Sequence, residues 1–212
     1  MTAAIATTAV MVVALLFAER ASSPRGVAST KPLASLGFIA VAYMGGALET
    51  SYGQAVLVGL VACALGDVLL IPRGAGAAFL GGMASFALGH AAYAYAFMQR
   101  GTAPIAALVA LAVMIAVAVV TLRWLGPGLP PDMRIPIRIY ITIISAMVVL
   151  AIGASFAVAN PWLATGAVLF AISDLAVARE RFVQAELTNQ LWGLPLYYTA
   201  QVIIASTAGQ GG

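Results

Sequence analysis

The sequence predicts an all-α integral membrane bundle of eight transmembrane helices, a single transmembrane domain over residues 1–212. Three observations lead there. The chain is 63% hydrophobic and only 8% charged, where soluble domains carry about 25% charged residues. Its apolar runs approach the roughly 20 residues needed to cross a bilayer. Short connections rich in charge, proline and glycine separate those runs, which suits antiparallel neighbours in one bundle.

Cutting the chain at those connections gives spans at 2–19, 33–48, 54–72, 76–98, 103–125, 135–156, 161–178 and 190–207. The first, MTAAIATTAVMVVALLFAER, has no basic leader or cleavage site and reads as a retained span rather than a removed peptide. The second is short and begins after Lys31 and Pro32, leaving the lysine at a loop edge. Small residues recur at helical spacing, Gly59, Ala62 and Gly66 in the third and Gly82, Ser85 and Gly89 in the fourth, and read as packing surfaces. Such stripes let backbones approach closely where lipid offers no hydrophobic driving force. The fifth and sixth are bounded by Arg123 and Arg134, and the seventh, also short, ends at Arg179. The eighth has Gly193 and Pro195 near its start.

Charge placement supports this division. With the amino terminus outside, Arg20, Arg25, Lys31, Arg73, Arg123, Arg134, Arg138, Arg179 and Arg181 fall on the inner side, and only Arg100 falls outside. That asymmetry follows the positive-inside rule and puts both termini outside. The alanine- and glycine-rich composition reads as bacterial, hence an inner-membrane protein. The basic residues are spread over several loops rather than gathered with aromatics, so nucleic-acid binding is not expected. One cysteine, Cys63, allows no internal disulfide and no multi-cysteine metal site.

Two aspartates interrupt apolar runs: Asp67 in LGDVLLI and Asp174 in FAISDLAVA. A carboxylate at membrane depth costs a few kcal/mol on insertion scales and usually has a task. Each lies roughly 8–9 Å from the inner end of its span at 1.5 Å per residue, and the two spans run the same way. Tyr197 and Tyr198 enter about 10–12 Å along the eighth span, with Gln201 one turn deeper. On the fourth span, Phe86, His90, Tyr93 and Phe97 form a stripe, and His90 comes about 21 Å in. A direct bond from His90 to either aspartate therefore requires that helix to shift or tilt. Structural alternatives stand beside these readings: a buried hydrogen bond for each aspartate, interhelical glue for His90, an interfacial anchor for the tyrosine pair. Arg134 and Arg138 read first as topology determinants, with phosphate binding as the alternative.

A sparse internal repeat is also present. Asp67 precedes His90 by 23 residues, as Asp174 precedes Tyr197, and the same 107-residue offset relates Gly59 to Gly166 and Lys31 to Arg138. Four helices per half would make a parallel repeat.

TKPL at 30–33, GDVLL at 66–70, GHAAYAYAF at 89–97, FAISDLAVA at 170–178 and YYTAQ at 197–201, taken in order, resemble the YhhN-like membrane family. The resemblance spans nearly the whole chain. It implies a lysoplasmalogenase-like hydrolase that cleaves the vinyl-ether bond of lysoplasmalogens, or a related lysolipid, to a fatty aldehyde and a glycerophospho-alcohol. The family's intramembrane acidic positions map onto Asp67 and Asp174. The chemistry is coherent: protonation of the alkene gives an oxocarbenium ion that water captures. One neutral carboxylic acid supplies the proton and an ionised partner stabilises charge and positions water, as paired carboxyls do in glycosidases.

The expected catalytic residues are thus Asp67 and Asp174, in either order, with Asp174 preferred as acid because Ser173 and the tyrosines could orient it. The expected substrate-binding set is Lys31, His90, Tyr93, Arg138, Ser173, Tyr197, Tyr198 and Gln201. A phosphate would sit near Lys31, Arg134 and Arg138, its chain along Phe86, Tyr93 and Phe97. No cofactor or metal is expected, the partners are a lysophospholipid and the bilayer, and the oligomeric state is open. The competing function is a small proton- or cation-coupled transporter using the same aspartates.

Overall fold

The computed structural model describes residues 1–72 and 76–210; Arg73, one of the inner-side basic residues, lies outside the described residues. Eight α-helices follow in order: α1 (Thr2–Arg20), α2 (Pro24–Met44), α3 (Ser51–Leu69), α4 (Ala77–Met98), α5 (Pro104–Leu125), α6 (Arg134–Ala157), α7 (Pro161–Phe182) and α8 (Leu187–Thr207). Two 3-10 turns, Gly126–Gly128 and Pro131–Met133, link α5 to α6. There is no strand among the described residues.

Local chemistry sets several of these boundaries. Pro24, Pro104 and Pro161 open α2, α5 and α7, where a missing N–H costs nothing because the first turn has no intrahelical acceptor for it. Ser23, Thr50 and Asn160 accept backbone N–H groups of the first turns of α2, α3 and α7 at 3.2, 2.9 and 3.1 Å, satisfying donors the helix leaves open.

Among the described residues, six helical stretches are long and apolar enough to cross a membrane; α4 and α8 are not among them. The expectation of eight spans is therefore met as eight helices, six of which qualify by length and composition. Both exceptions carry polar side chains that point into the bundle: His90 and Tyr93 on α4; Asn189, Tyr197, Tyr198 and Gln201 on α8, all buried. A helix surrounded by other helices need not be apolar on every face.

The second span is also redrawn. Helix α2 begins nine residues before the expected 33, so Lys31 and Pro32 lie inside it. A boundary drawn at every charge fails here because Lys31 has a buried partner, described below. Likewise α7 continues past 178 to Phe182.

Helix packing forms a ring, α2–α3–α4–α6–α7–α8, closed by α8 against α2. Helix α1 sits outside against α2 and α8, while α5 sits outside against α6 with only slight contact to α7. The small-residue stripes form the α3–α4 contact. Ser85 donates to the Ala62 carbonyl at 2.7 Å, and a side chain at Gly89 would come within 2.5 Å of Cys63 Sγ.

Candidate functional site

Asp67 stands near the basic end of α3, 2% exposed. Gly66, one residue earlier, leaves room for the Phe86 ring, which a Cβ there would meet at 2.8 Å. Oδ2 of Asp67 accepts hydrogen bonds from Ser35 at 2.7 Å and Tyr197 at 2.8 Å. Lys31 Nζ lies 3.5 Å from Oδ1, its side chain only 12% exposed. Lys31 and Ser35 are one turn apart on α2 and so share a face. Tyr198 completes the group, 3.4 Å from the Ser35 hydroxyl and donating to the Lys31 carbonyl at 3.3 Å. Two hydroxyl donors and an ammonium make this the setting of a charge-compensated carboxylate.

Asp174, on α7, has different partners. Tyr140 of α6 donates to its Oδ2 at 2.6 Å. His90 Nε2 lies 3.1 Å from the same oxygen and 3.0 Å from the Tyr140 hydroxyl. His90 is fully buried, and its Nδ1 has no hydrogen-bond partner among the described residues. That pattern fits a ring whose proton sits on Nε2, pointing at the carboxylate, because an N–H at Nδ1 would be buried unsatisfied. No hydrogen bond involves Oδ1 of Asp174 among the described residues, and the side chain stays 16% exposed.

Three rings connect the two clusters. Tyr197, whose hydroxyl holds Asp67, packs 5.4 Å from Phe170 and 5.8 Å from Phe86 between centroids. Phe170 in turn lies 4.3 Å from the ring of His90, which meets Asp174. Both aspartates, with Lys31, Tyr140 and Tyr197, line one cavity of about 1550 Å³.

The His90 contact corrects the depth argument, which placed the imidazole beyond reach. His90 lies about 20 Å from the start of α4 and Asp174 about 12 Å from the end of α7. Their contact requires these helices to be offset or tilted relative to one another.

The other expected residues divide. Ser173 lines the cavity, but its hydroxyl donates to the Phe170 carbonyl at 2.7 Å rather than to Asp174. Of the α8 tyrosines, Tyr197 donates to Asp67 and Tyr198 to the Lys31 carbonyl, rather than to Asp174. Tyr93 and Gln201 pair with each other at 2.6 Å, fully buried and off the cavity. Arg138 is exposed on α6 and does not line the cavity. Sequence reasoning missed Tyr140 and Ser35, and also Arg181, Glu180, Asn189 and Gln190 at the basic end of the cavity. There Arg181 stacks over Phe79 at 4.2 Å. Asn189 bridges Glu180 and Arg179, and Gln190 keeps a buried Oε1 with no partner among the described residues.

The YhhN family matches residues 27–208 of the chain. A lysoplasmalogenase of Bos taurus is 32% identical over 159 residues, covering 72% of this chain and 64% of its own length. One of Mycobacterium bovis is 36% identical over 155 residues, covering 71% of this chain and 58% of its own. One of Homo sapiens is 35% identical over 159 residues, covering 74% and 64%. The chain thus spans less than two thirds of the length of these relatives. No solved structure matches.

Proposed function

The chain belongs to the YhhN family, and from that membership we propose that it is a membrane-embedded hydrolase of vinyl-ether lysolipids, with Asp67 and Asp174 as its acid–base pair. The relatives named above are lysoplasmalogenases. The observation that carries the reading is that two intramembrane carboxyls, in unlike surroundings, line one cavity that is otherwise largely apolar.

Asp174 is assigned the acid. Asp174 lines the cavity; Tyr140 and His90 fix its Oδ2, and Oδ1 has no hydrogen-bond partner among the described residues. The acid delivers a proton to the alkene carbon not bonded to oxygen, the C=C π bond supplies the electron pair, and an oxocarbenium ion results. Asp67, compensated by Lys31, stabilises the positive charge and takes a proton from the water that adds to the cationic carbon. The hemiacetal so formed collapses: its hydroxyl proton passes to Asp174, its C–O bond to the glycerol breaks, the glycerol oxygen takes the proton that Asp67 received from water, and the aldehyde is released with both carboxyls restored. Phe86 and Tyr197, packed edge to face at 5.8 Å, line the cavity beside Asp67, and aromatic rings there favour a nearby cation. Arg181 and the Gln190 acceptor, which has no partner among the described residues, serve the phosphate and a glycerol hydroxyl at the basic end.

The test is incubation of purified protein, in detergent, with lysophospholipids that do or do not carry a vinyl ether, followed by mass spectrometry of the products. Fatty aldehyde from the vinyl-ether member alone is the expected result. A transporter using the same aspartates leaves that bond intact, and no aldehyde from any member removes the hydrolase reading.

A further inference from the structure

We infer that the groove between α5, α6 and α7 is the seat of the substrate's single hydrocarbon chain, and that the chain enters it sideways from the bilayer through the gap between α5 and α7. This rests on the hydrolase reading for the identity of the occupant.

The groove is continuous with the carboxylate site: Asp174 and Tyr140 line the same cavity as Ala106, Ala110 and Val113 on α5 and Val148 and Ile152 on α6. Along α5, lining residues run from Ile105 to Thr121, about 24 Å of helix. One leaflet of hydrocarbon is roughly 15 Å deep, so the groove is long enough for a whole lipid chain.

The groove exists because α5 does not close. By the 107-residue offset α5 is the counterpart of α1, α6 of α2, and α4 of α8. Helix α1 packs against both α2 and α8. Helix α5 packs along α6 but has no comparable contact with α4. Its face is left largely exposed, with only Ala110 and Leu125 buried.

Both ends of the groove are shut. At the basic end Leu125 joins Leu129, Met133 and Ile137 in a cluster against Phe79 and Phe182. At the other end the Ala103 N–H donates to the Gly153 carbonyl at 2.9 Å. Gly153 is needed there, since a Cβ would come within 2.8 Å of Thr102. Pinned at both tips and slack in the middle, α5 leaves a lateral opening toward α7. An occupant with one chain, apolar throughout and polar only at the end that reaches Asp174 and Arg181, is a lysolipid.

The experiment uses the full chain in nanodiscs and a photoreactive lysolipid whose chain, joined by a non-cleavable alkyl ether, carries a diazirine at its far end. Peptide mapping should find the label on α5 and α6 around Ala106, Ala110 and Ile152, and unlabelled lysolipid should compete it away. Labelling spread over lipid-facing helices such as α1, or competed equally by a two-chain phospholipid, overturns the seat by making its occupant bulk membrane lipid. A second measurement is Ala110→Trp, which should lower kcat/KM for an octadecenyl substrate at least about tenfold more than for an octenyl one. Equal loss for both is mere damage and counts against the seat. Labelling needs no bond cleavage, so the two readings fail separately. Competed labelling without aldehyde release from the vinyl-ether substrate removes the hydrolase alone, and aldehyde release with diffuse labelling removes the seat alone.

Discussion

His90 and Asp174 are 84 residues apart in sequence and 3.1 Å apart in the structure. Tyr197 and Asp67 form the matching contact at 2.8 Å. Under the internal repeat His90 corresponds to Tyr197 and Asp67 to Asp174, so each half of the chain supplies the partner for the other half's carboxyl. The exchange gives two carboxyls related by a repeat but held by different chemistry, a phenol and an imidazole on Asp174, a phenol, a serine hydroxyl and a lysine on Asp67. An acid–base pair needs that kind of inequality.

The central prediction concerns those carboxyls. Asp67→Asn and Asp174→Asn keep size and polarity but remove proton transfer, so each variant should fold and lose about a hundredfold or more in turnover. Aldehyde release in detergent measures this. If both asparagine variants still release aldehyde at the wild-type rate, the aspartates are structural.

Tyr140 should behave as a positioning group. Tyr140→Phe removes a hydrogen bond to the Asp174 carboxyl, which becomes a charged acceptor as its proton is delivered, where such a bond is worth about 1.5–3 kcal/mol. It should lower kcat by about ten- to a hundredfold with KM within about twofold, since ground-state binding is untouched. A raised KM with unchanged kcat would reassign the hydroxyl to substrate binding.

The Lys31–Asp67 pair makes a stability prediction. Lys31→Met strands a buried carboxylate and should cost about 3–5 kcal/mol, whereas Lys31→Met with Asp67→Leu should recover most of it. Thermal unfolding of the two variants in detergent provides the comparison. Additive losses would mean that the pair is not coupled.

Orientation follows from the basic asymmetry. In a Cys63→Ala background, a cysteine at Ser22 should be shielded from an impermeant thiol reagent in intact cells and one at Gln210 should react. The reverse pattern inverts the bundle and with it the leaflet that supplies substrate.

The two carboxyls were legible in the sequence because charge inside an apolar run is costly enough to stand out. Their partners were less so. Ser35 is one turn from Lys31, but that relation exists only once α2 is seen to run through Pro32, and charge and proline both argued for a boundary there. Tyr140 sits six residues into α6, where a tyrosine reads as an interfacial anchor. The reach of His90 depended on helices offset or tilted relative to one another, which local composition does not encode. Arg138 drew notice by matching Lys31 in the repeat, yet the face it occupies is turned away from the cavity.

Lys31 also bears on how the chain enters the bilayer. A lysine well inside a helix adds about 2.5–3.5 kcal/mol to insertion, and Asp67, which offsets it, is synthesised 36 residues later. At roughly 5–20 residues per second that delay is on the order of seconds, during which α2 lacks its counter-charge. Helices α2 and α3 are therefore expected to pass from the translocon as a hairpin rather than singly. An insertion reporter truncated after Met44 should integrate α2 poorly, and extending it through Leu70 should restore integration unless Asp67 is replaced by leucine. Equal integration of all three would show that the ion pair forms only after the helices are already in place.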